Sequence, residues 1–210
     1  MQTPATPPEP PQGHPIDARR ERPRDTREAI LEAALDLFVE GGYHGTSVPQ
    51  IAERAGIAAG TIYRHFEGKE ALVNTLYREQ KRAMMAATLG GLAATPGAPA
   101  RVLFRRLWQE LAGFARDRPR AFAFLELHHH ASYLDAASQA LEDQLTELGC
   151  ALIAPLQAKE ELKPVPAKLL VSLVLGALTG MVRAAREGHL TLDDATIDAA
   201  ERCCWELVRG

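Results

Sequence analysis

At 210 residues the chain is long enough to bury one large core or two small ones. Its composition, 46% apolar and 24% charged with a formal charge of -3 and a pI near 6.2, is ordinary for a soluble globular protein and excludes a wholesale nucleic-acid coat. Residues 19–82 hold 11 Lys and Arg against 10 Asp and Glu, and residues 83–210 hold 13 against 15, so any affinity for DNA has to come from local geometry.

Residues 1–18 carry six prolines and almost no large apolar side chain, which predicts a disordered tail without the cationic start and apolar run of a secretory signal. Five arginines follow between Arg19 and Arg27, interrupted by Glu21 and Asp25. Such a run is either a solvated tail or, ahead of a DNA-binding unit, an arm that lies on phosphates or enters the minor groove. Asp25 with Glu28 reads as a capping box, and Ile30, Leu31, Ala34, Leu35 and Phe38 form the inward face of a first helix that Gly41 and Gly42 stop.

The stretch Ser47 to Lys69 is the most informative. Ser47 followed three residues later by Gln50 is a second capping box, and Pro49 is harmless in a first helical turn, where its missing N–H would have had no partner. Val48, Ile51, Ala52 and Ala55 share one side of this second helix, and Gly56 ends it. In the third helix Ile62 and Phe66 point inward, so Gly60, Thr61 and Arg64 point out, with Tyr63 on the flank. This outward set lacks the acid and lysine mixture of a solvated helix, and a helical glycine costs about 1 kcal/mol relative to alanine. Close approach of the backbone to another molecule would account for Gly60. Lys69 opposes the macrodipole at the start of a fourth helix, a conflict that vanishes if ammonium and helix end both face a phosphate. The other reading of these features is a short amphipathic pair inside a helical bundle, with Lys69 solvated.

The run Asp25 to Leu72, with FVEGGYHGTS, VPQIAERAGIAAGTIYRHF and GKEALV in succession, resembles the N-terminal domain of the TetR (tetracycline repressor) family of bacterial transcriptional regulators. The resemblance implies a helix-turn-helix at residues 19–72, with Ala59, Gly60 and Tyr63 at base-contacting positions and Ser47, Val48, Thr61, Arg64, His65 and Lys69 at backbone-contacting ones. Ala58 and Ala59 stand where many members carry a polar pair, which implies poorer base readout from the start of the recognition helix.

Gly68 serves as a small N-cap for helix four, expected over about 69–89 before Gly90-Gly91 breaks it. The segment Thr95-Pro96-Gly97-Ala98-Pro99 then leads into a region, within residues 73–210, that is all helical by pattern. Helices are expected at about 100–116, 119–130, 136–158 with Pro155 bending the last turn, 166–187, and 192–208 with Thr191 or Asp193 as cap. The fold class is therefore all-α with about nine helices.

The apolar run Leu169 to Val182 is too short to span a bilayer and contains Ser172, Gly176, Thr179 and Gly180. A helix apolar all round needs cover, and Gly176 and Gly180 allow a close crossing; with Ile197, Cys204, Leu207 and Val208 of the last helix they suggest a four-helix dimer interface. The resemblance implies the same two-fold pairing through the last two helices. It also implies a small effector held among helices four to eight, for which Phe104, Trp108, Phe122, Phe124 and Tyr133 are candidate lining and His128 a candidate polar contact. The alternative for each aromatic is plain core.

His128, His129 and His130 cannot chelate one ion from consecutive helical positions, whereas Glu126 and His130, four apart, could supply two ligands, with nothing nearby to complete a site. No metal or cofactor is therefore expected. Cys150, Cys203 and Cys204 form neither an even disulfide set nor a metal spacing, which suits the cytoplasm. The sequence lacks a glycine-rich phosphate loop, HExxH or a nucleophile elbow, so an enzyme is not expected. The expected function is a ligand-responsive DNA-binding regulator, a repressor released from a pseudo-palindromic operator by a largely hydrophobic effector. The alternative is a helical adaptor without sequence-specific DNA binding.

Overall fold

The computed structural model describes residues 25–93 and 97–210, so the proline-rich tail, the arginines before Asp25 and the Thr95-Pro96 part of the expected break lie outside the described residues. Nine helices appear among the described residues: α1 Thr26–Gly45, α2 Val48–Ala55, α3 Ala59–His65, α4 Lys69–Ala93, α5 Ala100–Asp117, α6 Pro119–Leu127, α7 Ala136–Ala158, α8 Ala167–Arg186 and α9 Asp194–Val208. Named strands are absent among them; an isolated antiparallel bridge joins Leu162 to Arg209.

Local chemistry sets most boundaries. Asp25 caps α1 by accepting from the Arg27 N–H at 3.1 Å, one residue short of the Glu28 box expected from the sequence. The helical path of α1 breaks at Gly42, whose φ of 68° favours glycine, and one further turn brings Tyr43 round to the core. Asp135 and Asp193 cap α7 and α9 through the Ser138 and Thr196 N–H groups.

Two expectations need correction. Helix α4 does not stop at Gly90-Gly91 but runs to Ala93, because helical glycine costs only about 1 kcal/mol and neither residue is driven into left-handed backbone. The left-handed turn comes at Gly97, with φ of 74°. Helix α6 ends at Leu127, so His128 to His130 are not helical. The reason is His130, whose ring is turned back onto the Phe124 carbonyl and buried.

The core is continuous from the helix-turn-helix into the second half. Phe38 of α1 stacks on Phe124 of α6 at 6.2 Å between ring centres, and Leu72, Val73 and Leu76 of α4 are fully buried. Helix α4 touches α1 on one side and α5, α6 and α7 on others, so it belongs to both halves. At the far end Trp108 donates its indole N–H to the Ile197 carbonyl at 3.0 Å, and Arg101 pairs with the buried Glu201, fastening α9 to α5.

Candidate nucleic-acid interface

In α2 the reciprocal box forms as expected: the Gln50 N–H reaches the Ser47 hydroxyl, and the Gln50 amide oxygen accepts from the Ser47 N–H at 2.8 Å. Gly56 closes the helix at φ 69°, donating to carbonyls of the last turn. Arg54 pairs with Glu40, fixing α2 to α1. Ile51 and Ile62 are fully buried and Phe66 nearly so; they seat α2 and α3 on the core.

This seating decides what α3 shows to the outside. Ala59, Gly60, Arg64 and His65 are exposed, Thr61 is partly so, and Tyr63 keeps 58% of its surface. A methyl placed on Gly60 would meet nothing within 4 Å, so no internal contact requires the glycine. Arg64 has no ion pair among the described residues. Ser47 lies exposed at the start of α2, whereas Val48 is buried: its side chain belongs to the inward face, and only its backbone is at hand for a phosphate.

Lys69 resolves its own conflict inside the chain. Its ammonium donates to the carbonyls of Tyr43 and Thr46, both at 2.9 Å, and sits 4.1 Å from the centre of the Tyr43 ring. The cation therefore caps the carbonyl end of α1, where it is electrostatically favoured, and holds the link that carries Ser47. A phosphate is not needed to explain it.

From Tyr43 a line of contacts leads into the second half. The Tyr43 ring stacks on Tyr133 at 4.2 Å, and the Tyr133 hydroxyl is 2.7 Å from Nδ1 of His130. Because Nε2 lies 2.6 Å from the Phe124 carbonyl, which can only accept, the neutral ring carries its proton on Nε2 and Nδ1 accepts from Tyr133. Burial holds His130 below the usual histidine pKa and pushes Tyr133 up to about 12. Beside them Tyr77 donates to Glu142 at 2.6 Å, and buried Lys81 lies 3.0 Å from Glu142 and 3.4 Å from Glu126. Fully buried Asn74 ties α4 to the backbone of Tyr133 and Asp135.

Five of the six candidate effector residues lie in the interior. Trp108, Phe122 and Phe124 are fully or almost fully buried, Phe104 and Tyr133 are buried too, and all five belong to the core. His128 lines a cleft of about 390 Å³ with Val39, Leu127, Arg183, Arg186 and Glu187. A second cleft of about 370 Å³ runs along α8 past Glu126, Ser172, Gly176 and Arg183. Loss of the helix at Leu127 removes the four-residue spacing between Glu126 and His130, and no group of three metal-ligating side chains exists among the described residues.

Comparison with known proteins decides the family. Residues 93–210, more than half the chain, match the family described as "Tetracyclin repressor-like, C-terminal domain", and residues 30–76 match "Bacterial regulatory proteins, tetR family". The chain belongs to the TetR family. Its members are transcriptional regulators, and its relatives here carry names of that kind. The "HTH-type transcriptional repressor KstR" of Rhodococcus jostii is 31% identical over 72% of this chain and 68% of its own. The "Fatty acid metabolism regulator protein" of Bacillus subtilis is 43% identical, but over 24% of this chain and 26% of its own length, so the chain spans about a quarter of that relative. The crystal structure of a TetR family transcription regulator from Marinobacter aquaeolei VT8 superposes with a TM-score of 0.78 at 26% identity, covering 88% of this chain and 95% of that one.

Within this TetR-family chain the surface of the last two helices differs from the sequence reading. Ile197, Cys204 and Val208 of α9 are buried in the chain's own core, and of the expected face Leu207 alone is exposed, alongside Cys203. Helix α8 buries Leu170, Val174, Leu178 and Val182 and exposes Leu169 and Leu173, next to exposed Leu148 and Leu152 of α7. Although α8 is long and apolar enough by length and composition to cross a membrane, its buried face is part of the core.

Proposed function

We propose that this TetR-family chain is a homodimeric, cytoplasmic repressor that is released from a pseudo-palindromic operator by a small effector. The observation that carries this reading is the bare outer side of α3. A seven-residue helix, seated by Ile62 and Phe66, presents Ala59, Gly60, Tyr63, Arg64 and His65 to the outside with nothing of the described chain covering them. In a helix-turn-helix the second helix enters the major groove in this way. Tyr63 and the Ala59-Gly60 backbone would meet base edges, while Ser47, Thr61, Arg64 and the backbone of Val48 would meet phosphates. Lys69 supports the interface from behind by ordering the α1–α2 link, and its outer side remains partly exposed for a phosphate.

Pairing through the outward sides of α8 and α9 supplies the two-fold needed to read successive grooves, roughly 34 Å apart. Leu169, Leu173 and Leu207 offer apolar area, and exposed Gly176 and Gly180 permit close crossing. The effector would act within residues 73–210, where a cleft of about 390 Å³ opens beside the ends of α6 and α8.

Gel-shift titration with the DNA upstream of the chain's own gene tests the reading. Retardation that is sequence-selective and weakens steeply with salt is expected; the absence of a shift at micromolar protein overturns it and favours a protein-binding adaptor. Tyr63→Ala should weaken specific binding by about 1–3 kcal/mol and leave non-specific binding nearly unchanged.

A further inference from the structure

The cleft of about 390 Å³ described above lies on a seam between three elements. Val39 comes from the second half of α1, Leu127 and His128 from the end of α6, and Arg183, Arg186 and Glu187 from the end of α8. Arg183 and Arg186 are three residues apart, so their side chains share one side of the helix. Arg54, Arg78, Arg101 and Arg116 each hold a carboxylate, but Arg183 and Arg186 have no ion pair among the described residues. The one acid in the cleft, Glu187, has its carboxylate 3.9 Å from His189. Two unneutralised guanidiniums thus face one acid across an open space walled by Val39 and Leu127.

The macrodipole accounts for basic side chains in the last turn of α8 but not for a cleft between them and α1. Two like charges at this spacing disfavour each other by a few tenths of a kcal/mol, a cost that a bridging anion reverses. The guanidinium fork matches a carboxylate in plane and spacing. The apolar walls suit a short hydrocarbon body, and the volume is that of a small-molecule site. His128 belongs to this field: burial and then the Arg186 charge lower its pKa, against a hydrogen bond to the Val39 backbone that raises it.

We propose that this seam is an effector site for a carboxylate-bearing small molecule, its carboxylate bridging Arg183 and Arg186 and its apolar body lying against Val39 and Leu127. The position explains how an occupant reaches the DNA reader. Val39 precedes Tyr43 by one turn of chain, and Tyr43 is the residue stacked on Tyr133 and held by Lys69. A ligand spanning Val39 and the α8 arginines fixes α1 against α8 and with it the setting of α2 and α3. The link to DNA rests on the repressor reading above; the site itself does not.

The test uses the full-length chain with hexanoate as probe and hexanamide as its neutral counterpart. The His128 ring proton is followed by NMR through a pH titration at rising probe concentration. Hexanoate is expected to shift the His128 resonance saturably and raise its pKa, since an added anion favours the imidazolium, while hexanamide does neither. Arg183→Gln/Arg186→Gln, both at exposed positions, should lower hexanoate affinity at least about tenfold with an unchanged melting temperature. An unmoved His128 resonance up to about 10 mM hexanoate, equal response to both probes, or equal affinity of the variant overturns the site. DNA retardation is measured in parallel: a seam that takes hexanoate without altering an existing shift keeps the site and refutes its coupling to the reader. No shift under any condition removes the repressor reading and leaves the NMR result to decide the site.

Discussion

Asn74 should be the most sensitive single position holding the two halves together. It is fully buried, its amide donates to the Glu70 carbonyl at 3.0 Å and the Tyr133 carbonyl at 2.8 Å, and its oxygen accepts from the Asp135 N–H at 2.9 Å. Asn74→Ala leaves the Tyr133 carbonyl and the Asp135 N–H without that partner, at about 1–2 kcal/mol each, and the vacated volume adds about 1 kcal/mol. The sum of about 3–5 kcal/mol corresponds to a fall in melting temperature of roughly 10 °C for a chain of this length. Circular-dichroism melts at one fixed protein concentration measure it, because association makes the midpoint concentration-dependent. Asn74→Asp gives a sharper reading. A protonated carboxyl can still donate to Tyr133 and accept from Asp135, whereas the anion faces two carbonyls, so its folded-state pKa is raised. The difference from wild type should therefore be small below about pH 4, where the unfolded carboxyl is protonated too, and widen as pH rises. A loss under about 1 kcal/mol for Asn74→Ala, or a difference for Asn74→Asp that does not grow from about pH 4 to 7, would refute the accounting.

Arg101→Met strands the Glu201 carboxylate, whose side chain is 4% exposed; because Arg101 itself is 38% exposed the loss should be about 2–3 kcal/mol, and adding Glu201→Gln should restore much of it, as urea midpoints will report. His128 and His130 both have folded pKa values lowered first of all by burial, so their contribution is fully present above the unfolded value of about 6.5 and is lost as pH falls through the folded values; the urea midpoint should drop on acidification, and His130→Asn should lessen the slope. Ser47→Ala removes the α2 cap, costing about 1 kcal/mol in thermal stability and weakening operator retention in the same gel-shift assay.

The reader was legible in the sequence because its boundaries are set by local chemistry: Ser47 and Gln50 cap α2, Gly56 ends it in left-handed backbone, and Ile62 with Phe66 fixes the outward set of α3. What stayed illegible depends on partners distant in sequence. The carbonyls that Lys69 caps could not be read from its neighbours, because they lie 23 and 26 residues earlier. His130 looked helical because nothing local announces that its ring is clasped between the Phe124 carbonyl and the Tyr133 hydroxyl. The aromatics proposed as pocket lining, and Ile197 and Cys204 proposed as interface, obey a periodicity that separates buried from exposed but not one kind of burial from another. Arg183 and Arg186, three residues apart, gain meaning only once Val39 is found across the cleft from them.

The continuity of α4 past Gly90-Gly91 has a mechanical consequence. An unbroken rod of 25 residues is about 37 Å long, so a tilt of about 5° carries its tip roughly 3 Å. In a symmetric pair both tips move, and the gap between reading heads changes by about 6 Å against a groove repeat of roughly 34 Å. A stop at the two glycines would have shortened the shaft to about 31 Å and its excursion in proportion; the full helix carries the motion to Lys69 and the heads it bears.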